Sequence, residues 1–486
     1  MKVLGRWLKR IGWTVLILAV LLALPVLPPI AMPLFPAPPG ADSVELVVNP
    51  GYQVNPVAEF ILGSQYRDLW TQPIRVAVLD LEAFEGGVRP TREGGGQETR
   101  SLHFETTDGR RFIFRSVDKE VLRLLHAGLS RSPVAWLVHD QTSSSFPAGA
   151  LVANELQAAV GLPAGTARLV VLPDHPRLGE YRKRFAGVLG LVQEGHGEYR
   201  RNPPRSGHDE ARDTEEVLPR VDSSSSHRLD ARGYLTARIL DLFLNDWDRH
   251  PGQWRWAGVP EPWGTRWMAI PVDRDQSFSS YDGVFMAIAR LRTPKLAVFG
   301  PEIPSVRGLM YNSRSLDRRL LAGLERPAWD SIAAFVVTRL TDSAIAAAAR
   351  KLPEPYYRLE GARLIETLKQ RRGTLAASAI SLYQRLAEHP EVHATLESEI
   401  VQLDHHSDGA VELRIGPASG ATPAPPWFTR RFLPGETTGL DVHLGGGDDR
   451  VVVTGEPAGA IGVRMFDEKG RPAGGSRAAV AMRGER

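Results

Sequence analysis

Apolar and polar positions alternate along the first part of the chain, as they do in half-buried β-strands. The segments with this pattern are residues 43–48, 74–79, 101–105, 111–117, 167–172 and 185–193. Asp108 and Gly109 lie between two of them and predict a tight β-hairpin turn. Residues 120–127 and 148–160 carry their apolar positions at helical spacing and predict two helices. The chain before residue 195 is therefore predicted to be rich in strands.

The pattern changes twice in the rest of the chain. Residues 195–226 are rich in Gly, Pro and Ser and predict a loop or linker between two lobes. Helical spacing then dominates, and the predicted helices are residues 230–243, 328–349 and 359–386. Beyond residue 405 short alternating segments return, at residues 411–415, 427–432, 439–444, 450–454 and 461–466. We therefore predict a strand-rich region at 41–200, a helical region at 201–404 and a small β-domain at 405–486.

The first forty residues have a different character. Lys2, Arg6, Lys9 and Arg10 precede an uncharged run at 11–41, of which residues 11–24 are almost entirely apolar. A spanning helix needs about 20 apolar residues, and basic residues before it hold that end in the cytoplasm. Residues 1–40 therefore predict a single-pass anchor in the inner membrane, with the bulk of the chain extracytoplasmic. A cleaved signal peptide is the alternative, although no clear small-x-small cleavage site adjoins the run.

Composition narrows the possible partners. The 486 residues carry a net charge of only +3, and no basic block is interleaved with stacking aromatic residues, so a nucleic-acid partner is not expected. The chain has no cysteine. Disulfides, thiolate catalysis, zinc–thiolate sites and a lipid-modified cysteine are therefore excluded.

Two acidic clusters carry the candidate chemistry. Asp248, His250 and Gln253 follow the apolar segment 239–244, and Asp273 and Asp275 follow the strand-like segment 267–270. Phosphoryl transfer needs a carboxylate beside the acceptor hydroxyl and oxygen ligands for a divalent cation, and magnesium prefers such ligands. We interpret Asp248 as the base and Gln253 with Asp273 as magnesium ligands. Asp275 is a further possible ligand, and His250 is an acid–base group, a metal ligand or a hydrogen-bonded residue that fixes the aspartate.

These residues also carry a resemblance to known families. Asp248-Arg249-His250, Gln253 and Asp273 with Phe278 behind it resemble the atypical kinases of the secretory pathway, the spore-coat protein H kinases and the toxin kinase HipA. The longer core, DWDRHPGQWRW at residues 246–256, is similar to that of a family of uncharacterised bacterial envelope proteins. That likeness extends from about Gly109 to Phe278, and more weakly into the C-terminal β-domain.

The resemblance implies an α+β fold with a two-lobed, protein-kinase-like core. A strand-rich N-lobe and a helical C-lobe would be preceded by a transmembrane helix and followed by the small β-domain. It also implies that ATP and magnesium bind. The strand at 111–117 should then carry the phosphate-clamping lysine, but Arg115 stands at the best-aligned position and Lys119 lies just beyond it. Glu155 would pair with that cation, and residues 191–194, which end with Glu194, would form the hinge that holds adenine by its backbone.

Two further features bear on that resemblance. Gln253 stands where asparagine or an acid is usual, although its carbonyl oxygen can still bind magnesium. The glycine-rich residues 93–97 either cover phosphates or form a mobile loop.

Three functions are therefore compared. The favoured one is a membrane-anchored, extracytoplasmic, metal-dependent kinase-like phosphotransferase whose acceptor is a protein, a glycan or a lipid. ATP is scarce outside bacterial membranes, so either the donor is another phosphorylated molecule or the predicted topology is wrong. The second is a non-catalytic envelope binding protein on a kinase-like fold, with Arg115 and Gln253 as marks of lost activity. The third, a metal-dependent phosphohydrolase using Asp246 and its acidic neighbours, lacks the separated motifs usual for such enzymes.

Overall fold

The computed structural model describes residues 32–38, 40–95, 98–121, 133–194, 211–418, 425–456, 459–472 and 481–482. The predicted membrane anchor at 1–31, most of the predicted helix at 120–127 and residues 195–210 of the predicted linker lie outside these ranges. Within them, no single helix has the length and hydropathy of a membrane span. Two consecutive helices, Arg326–Arg339 and Asp342–Ala349, reach the length and hydropathy of a span only when they are counted together, and the chain bends by 61° between them.

The N-terminal region is built on a mixed seven-stranded sheet. Its strands are β1 (Ser43–Val47), β2 (Pro73–Val78), β3 (Val88–Gly95), β4 (Arg100–Thr106), β5 (Arg111–Ser116), β6 (Ala167–Val171) and β7 (Leu189–Glu194), in the order β1-β2-β6-β7-β5-β4-β3. The predicted hairpin is confirmed: β4 pairs antiparallel with β5, and Gly109 has a φ of 81° in the turn between them. Alternate side chains of β4 and β5, such as Leu102, Phe104 and Phe114, are buried against β7 and its neighbours.

Among the described residues, six α-helices accompany this sheet or follow it. They are α1 (Pro56–Leu62), α2 (Arg67–Thr71), α3 (Pro133–Asp140), α4 (Gly149–Ala159), α5 (Arg182–Phe185) and α6 (Thr214–Ser223). Helix α6 lies where the sequence predicted a loop, so that prediction was wrong. Pro219 within the helix and its polar surroundings hid the pattern. Val217 nevertheless packs into the main core, and Glu215 and Glu216 in the first turn favour helix formation through the helix dipole.

The next region combines a small sheet with a bundle of helices. The sheet contains β8 (Arg212–Asp213), β9 (His227–Leu229), β10 (Trp254–Glu261) and β11 (Gly264–Pro271), in the order β8-β10-β11-β9. The helices are α7 (Ala231–Leu244), α8 (Gly283–Arg290), α9 (Val306–Leu309), α10 (Arg314–Leu320), α11 (Arg326–Arg339), α12 (Asp342–Ala349), α13 (Glu354–Tyr356) and α14 (Ala362–Ala387). The segment predicted as helical at 328–349 is interrupted, because the Thr341 hydroxyl accepts a hydrogen bond from the amide of Ala344 and starts α12.

The C-terminal region is made of strands, as predicted. They are β12 (Glu391–His393), β13 (Glu399–His405), β14 (Val411–Pro417), β15 (Phe428–Phe432), β16 (Gly439–His443), β17 (Arg450–Thr454), β18 (Gly462–Phe466) and β19 (Ala481–Met482). They form a three-stranded sheet, β12-β16-β18, and a five-stranded sheet, β15-β14-β13-β17-β19. A separate apolar core that includes Val401, Leu413 and Leu440 lies between them. Strands β12 and β13 were not predicted, and both begin before residue 405, the predicted start of the β-domain.

Candidate functional site

The two acidic turns lie together at the open end of the β10–β11 hairpin. Helix α7 ends at Asn245, whose φ of 59° turns the chain toward Asp248 and a short 3₁₀ turn that leads into β10. Because β10 and β11 are antiparallel, the end of β11 returns to the start of β10, and the amide of Val272 donates to the carbonyl of Gln253 at 3.1 Å. Asp273, the next residue, has a φ of 59° and lies beside Gln253.

A buried ionic network locks these turns in place. Arg274, between Asp273 and Asp275, donates to Asp246 at 2.9 Å and also contacts Asp241 on α7. Arg249 donates to the carbonyls of Val272 and Gln253, each at 2.8 Å. All four side chains of the network are almost completely buried. Arg249 therefore holds the backbone of both turns, and Arg274 ties them to α7 through buried carboxylates.

The metal-binding candidates Gln253 and Asp273 are in contact. Nε2 of Gln253 lies 3.4 Å from Oδ2 of Asp273, and Nη1 of Arg115 lies 3.7 Å from Oδ1 of the same carboxylate. Burial opposes ionisation of Asp273, but the charges of Arg115 and Lys119 outweigh it and lower the pKa of Asp273. Oε1 of Gln253 is buried and has no hydrogen-bond donor among the described residues. A buried carbonyl oxygen without a partner, next to an ionised carboxylate, fits a divalent cation with oxygen ligands.

Lys119 joins the strand-rich region to the second acidic turn. Its Nζ lies 3.1 Å from Oε2 of Glu98 and 3.0 Å from Oδ2 of Asp275, with only 7% of its side chain exposed. Burial would lower the pKa of Lys119, but the two carboxylates raise it, so the ammonium stays charged. Desolvation raises the pKa of Asp275 to about 7, helped by the charges of Asp273 and Asp248 and opposed by Lys119.

Asp248 faces a different set of partners. Its Oδ1 accepts a hydrogen bond of 2.6 Å from Nδ2 of Asn312, which the sequence did not single out. His250 accepts from the amide of Gly252 at 3.1 Å through Nδ1, and its Nε2 lies 3.4 Å from Nε2 of Gln253. His250 therefore caps the 3₁₀ turn and adjoins Gln253. This arrangement leaves Asp248, steadied by Asn312, as the candidate base.

The structure does not bring Glu155 to Lys119. Glu155 lies on α4 and pairs with Lys351 at 3.0 Å, where both side chains are about half exposed. Both residues line a separate cavity of about 460 Å³. The buried face of α4 is formed by residues such as Val152 and Leu156, and Glu155 is turned away from it. The described acidic partners of Lys119 are Glu98 and Asp275. The prediction that Glu155 pairs with this cation was therefore wrong.

The predicted hinge strand does border the cleft. Leu191 and Gln193 of β7, with Arg115, Lys119 and Asp273, are among the residues that line a cavity of about 40 Å³. Glu194 itself is not among the lining residues; it is the last residue of β7, opposite Phe112, and burial raises its pKa. Pockets for small ligands usually measure roughly 300–1,000 Å³. A nucleotide would therefore enter only if the cleft opens.

Comparisons with known proteins are sparse. No family model matches the chain, and no curated protein matches it. Solved structures that are distantly similar to the chain include the following two. The Helicobacter pylori proinflammatory kinase CtkA has a TM-score of 0.33 and 9% identity, over 61% of this chain and 96% of that chain. HipA of Shewanella oneidensis, in complex with HipB and operator DNA, has a TM-score of 0.30 and 11% identity, over 61% of this chain and 74% of that chain. Both TM-scores are low, and both likenesses are weak.

Proposed function

We propose that the cleft between the seven-stranded sheet and the β10–β11 hairpin belongs to a metal-dependent, kinase-like phosphotransferase. The observation that carries the proposal is the convergence of two cations, Arg115 and Lys119, on two carboxylates, Asp273 and Asp275, beside the unpartnered oxygen of Gln253. Phosphoryl transfer uses this combination of groups: cations for phosphate oxygens and hard oxygen ligands for magnesium.

Each residue has a distinct role in this proposal. Gln253 and Asp273, with Asp275 as a further ligand, would hold magnesium. When bound, magnesium neutralises charge on the phosphate oxygens. Lys119 and Arg115 would bind the phosphates of ATP or another phosphorylated donor. Asp248 would accept the proton of the acceptor hydroxyl. The oxygen of that hydroxyl would form the new bond to phosphorus while the bond between phosphorus and the leaving oxygen breaks.

The ion pairs of the cleft support a coupled mode of binding. Lys119 pairs with Asp275, and Arg115 lies near Asp273, so the cations that would bind phosphates are engaged with the carboxylates that would bind metal. A metal that took over the carboxylates would free the cations, and a phosphate that took over the cations would free the carboxylates. Metal and nucleotide should therefore bind together more tightly than either binds alone.

Thermal stabilisation tests this coupling. We expect magnesium and ATP together to raise the melting temperature by more than the sum of their separate effects. Stabilisation corresponds to about 2.7 kcal/mol when the ligand is at a hundred times its Kd. Asp273→Asn should remove the joint effect, and Glu155→Gln, remote from Lys119, should retain it. If wild-type protein shows no shift with ATP, GTP or another phosphorylated donor in the presence of magnesium or manganese, the proposal fails.

One feature favours the non-catalytic alternative. The charges of the two cations and the two carboxylates neutralise each other, and the cavity that they line is small. Such an arrangement suits a purely structural contact between the two lobes. Absence of nucleotide binding would support that function. The phosphohydrolase has less support, because Asp246 is fully buried among arginines. We also propose the membrane-anchored, extracytoplasmic location that the sequence predicts. The predicted anchor at residues 1–31 lies outside the described ranges, so this part of the proposal depends on the sequence alone.

A further inference from the structure

A second group of candidate metal ligands lies in the C-terminal β-region. Glu391 and His393 are two residues apart on β12 and so point to the same side of the strand. Strand β16 runs parallel to β12, with His443 directly opposite His393. One ring nitrogen of each histidine and one carboxylate oxygen of Glu391 all lie within 4.8 Å of one another. The register of two strands thus brings together three side chains that are distant in sequence.

The surroundings of the two histidines suit metal coordination. Nε2 of His393 is buried and has no hydrogen-bond partner among the described residues. The ring of His393 stacks on that of His443 with centroids 4.3 Å apart, and the ring of Phe466 stacks on the other side of His443 at 4.9 Å. An imidazole with a buried nitrogen that lacks a partner among the described residues can supply that nitrogen to a metal.

The third ligand is already oriented. Nη1 of Arg318 lies 2.6 Å from Oε1 of Glu391, and the same guanidinium donates to the carbonyl of His389 at 2.9 and 2.6 Å. The contact engages one carboxylate oxygen and leaves the other for a cation. Metal-binding carboxylates are commonly held in this way by a neighbouring donor.

We propose that Glu391, His393 and His443 form a binding site for a divalent transition metal, with zinc as the natural fit. Two imidazoles and one carboxylate are a known zinc ligand set, which leaves a fourth position for water or another ligand. Ligand atoms around tetrahedral zinc lie about 3.3 Å apart, as follows from bond lengths near 2 Å, and the three ligand atoms here all lie within 4.8 Å of one another. Since the lone pairs of two parallel rings do not converge, at least one imidazole must rotate about its Cβ–Cγ bond.

Such a metal would fasten β12 to β16. Strand β12 is a three-residue edge strand that pairs only with β16 among the described strands, and it follows the long helix α14 closely. The ion would therefore secure the junction between the helical region and the C-terminal sheets, and its binding should raise the melting temperature. This site is independent of the proposed phosphotransferase activity.

Cobalt(II) titration of the full chain tests the site. Tetrahedral cobalt gives intense visible absorption, whereas an oxygen-rich octahedral site of the kind proposed in the cleft gives only weak bands. We expect one equivalent of cobalt to produce the tetrahedral spectrum and zinc to displace it. The spectrum should persist in Asp273→Asn, which removes a cleft ligand. His443→Gln and Glu391→Gln should each weaken binding by about tenfold or more.

His405→Gln is the matched control, because His405 lies on β13 in the other C-terminal sheet. It should bind cobalt as the wild type does. Circular dichroism of each variant separates lost binding from lost folding, and Glu391→Gln changes the shape of the site least. The proposal is overturned if wild-type protein gives no tetrahedral spectrum, or if His443→Gln and Glu391→Gln, both folded, titrate like His405→Gln.

Discussion

Replacing Asp248 by asparagine should lower phosphoryl transfer by about a hundredfold or more, the usual contribution of a general base. Asparagine keeps the size of the side chain but cannot take the proton of an attacking hydroxyl. Asp248 receives a hydrogen bond from Asn312, whereas the proposed metal ligand Asp273 lies beside Gln253 and Arg115. Asp248→Asn should therefore keep the joint stabilisation by magnesium and ATP.

The measurement needs no knowledge of the acceptor. Transfer of labelled phosphate from the γ position of ATP to the protein itself, or to water, reports the chemical step, and thermal stabilisation reports binding. Glu155→Gln is the matched control, since Glu155 pairs with Lys351 away from Lys119, and it should leave both readouts unchanged. Undiminished transfer in Asp248→Asn would exclude Asp248 as the base. A loss of binding in the same variant would place Asp248 among the groups that hold metal or donor.

The proximity of the two acidic turns could be anticipated from the sequence because each follows a regular segment. The apolar run at 239–244 ends α7, and the run at 267–270 ends β11. What the sequence did not reveal is the short hairpin between them: residues 254–261 form β10, which pairs with β11 residue by residue. The hairpin, rather than a lobe-to-lobe contact, is what brings Asp273 beside Gln253.

The partners of Lys119 and Asp248 could not be predicted, for a geometric reason. Whether a carboxylate on α4 points toward Lys119 depends on which side of that helix is buried, and Glu155 lies on the side that faces Lys351. Glu98 reaches Lys119 from the segment between β3 and β4, and Asn312 reaches Asp248 from 64 residues further along the chain. Neither residue has a local sequence pattern that marks it. Contacts of this kind are set by tertiary packing.

The tryptophans of the central motif belong to the protein core. Trp254 and Trp256 are both completely buried. Their rings lie against Tyr234 of α7, with centroids at 4.5 and 6.1 Å. Large aromatic residues that alternate along a strand beside a buried helix are better explained by the core. Part of the motif therefore specifies the core that supports the cleft, and part specifies the candidate chemistry.

Replacing Arg274 by methionine should lower the free energy of unfolding by about 3–5 kcal/mol, the usual cost of removing one partner from a buried ion pair. Arg274 contacts Asp241 and Asp246, and none of the three side chains is more than 1% exposed. Without it, Asp241 still pairs with Arg238, but the described cation left beside Asp246 is Arg249, whose Nη1 lies 3.7 Å away, so Asp246 is poorly compensated. Urea unfolding followed by tryptophan fluorescence measures the loss, because Trp254 lies against Arg249, 4.7 Å from its guanidinium.

Two further variants separate charge from packing. Arg255→Met removes a pair with Asp213 that is 24% and 55% exposed, and it should cost no more than about 1 kcal/mol. The double variant Arg274→Met with Asp246→Asn should recover part of the lost stability, since it removes one of the stranded charges. No recovery would mean that packing around Arg274, rather than charge compensation, stabilises the turns. Because Arg274 separates Asp273 from Asp275 in the chain, its loss should also weaken the joint binding of magnesium and ATP, linking the stability of this network to the geometry of the cleft.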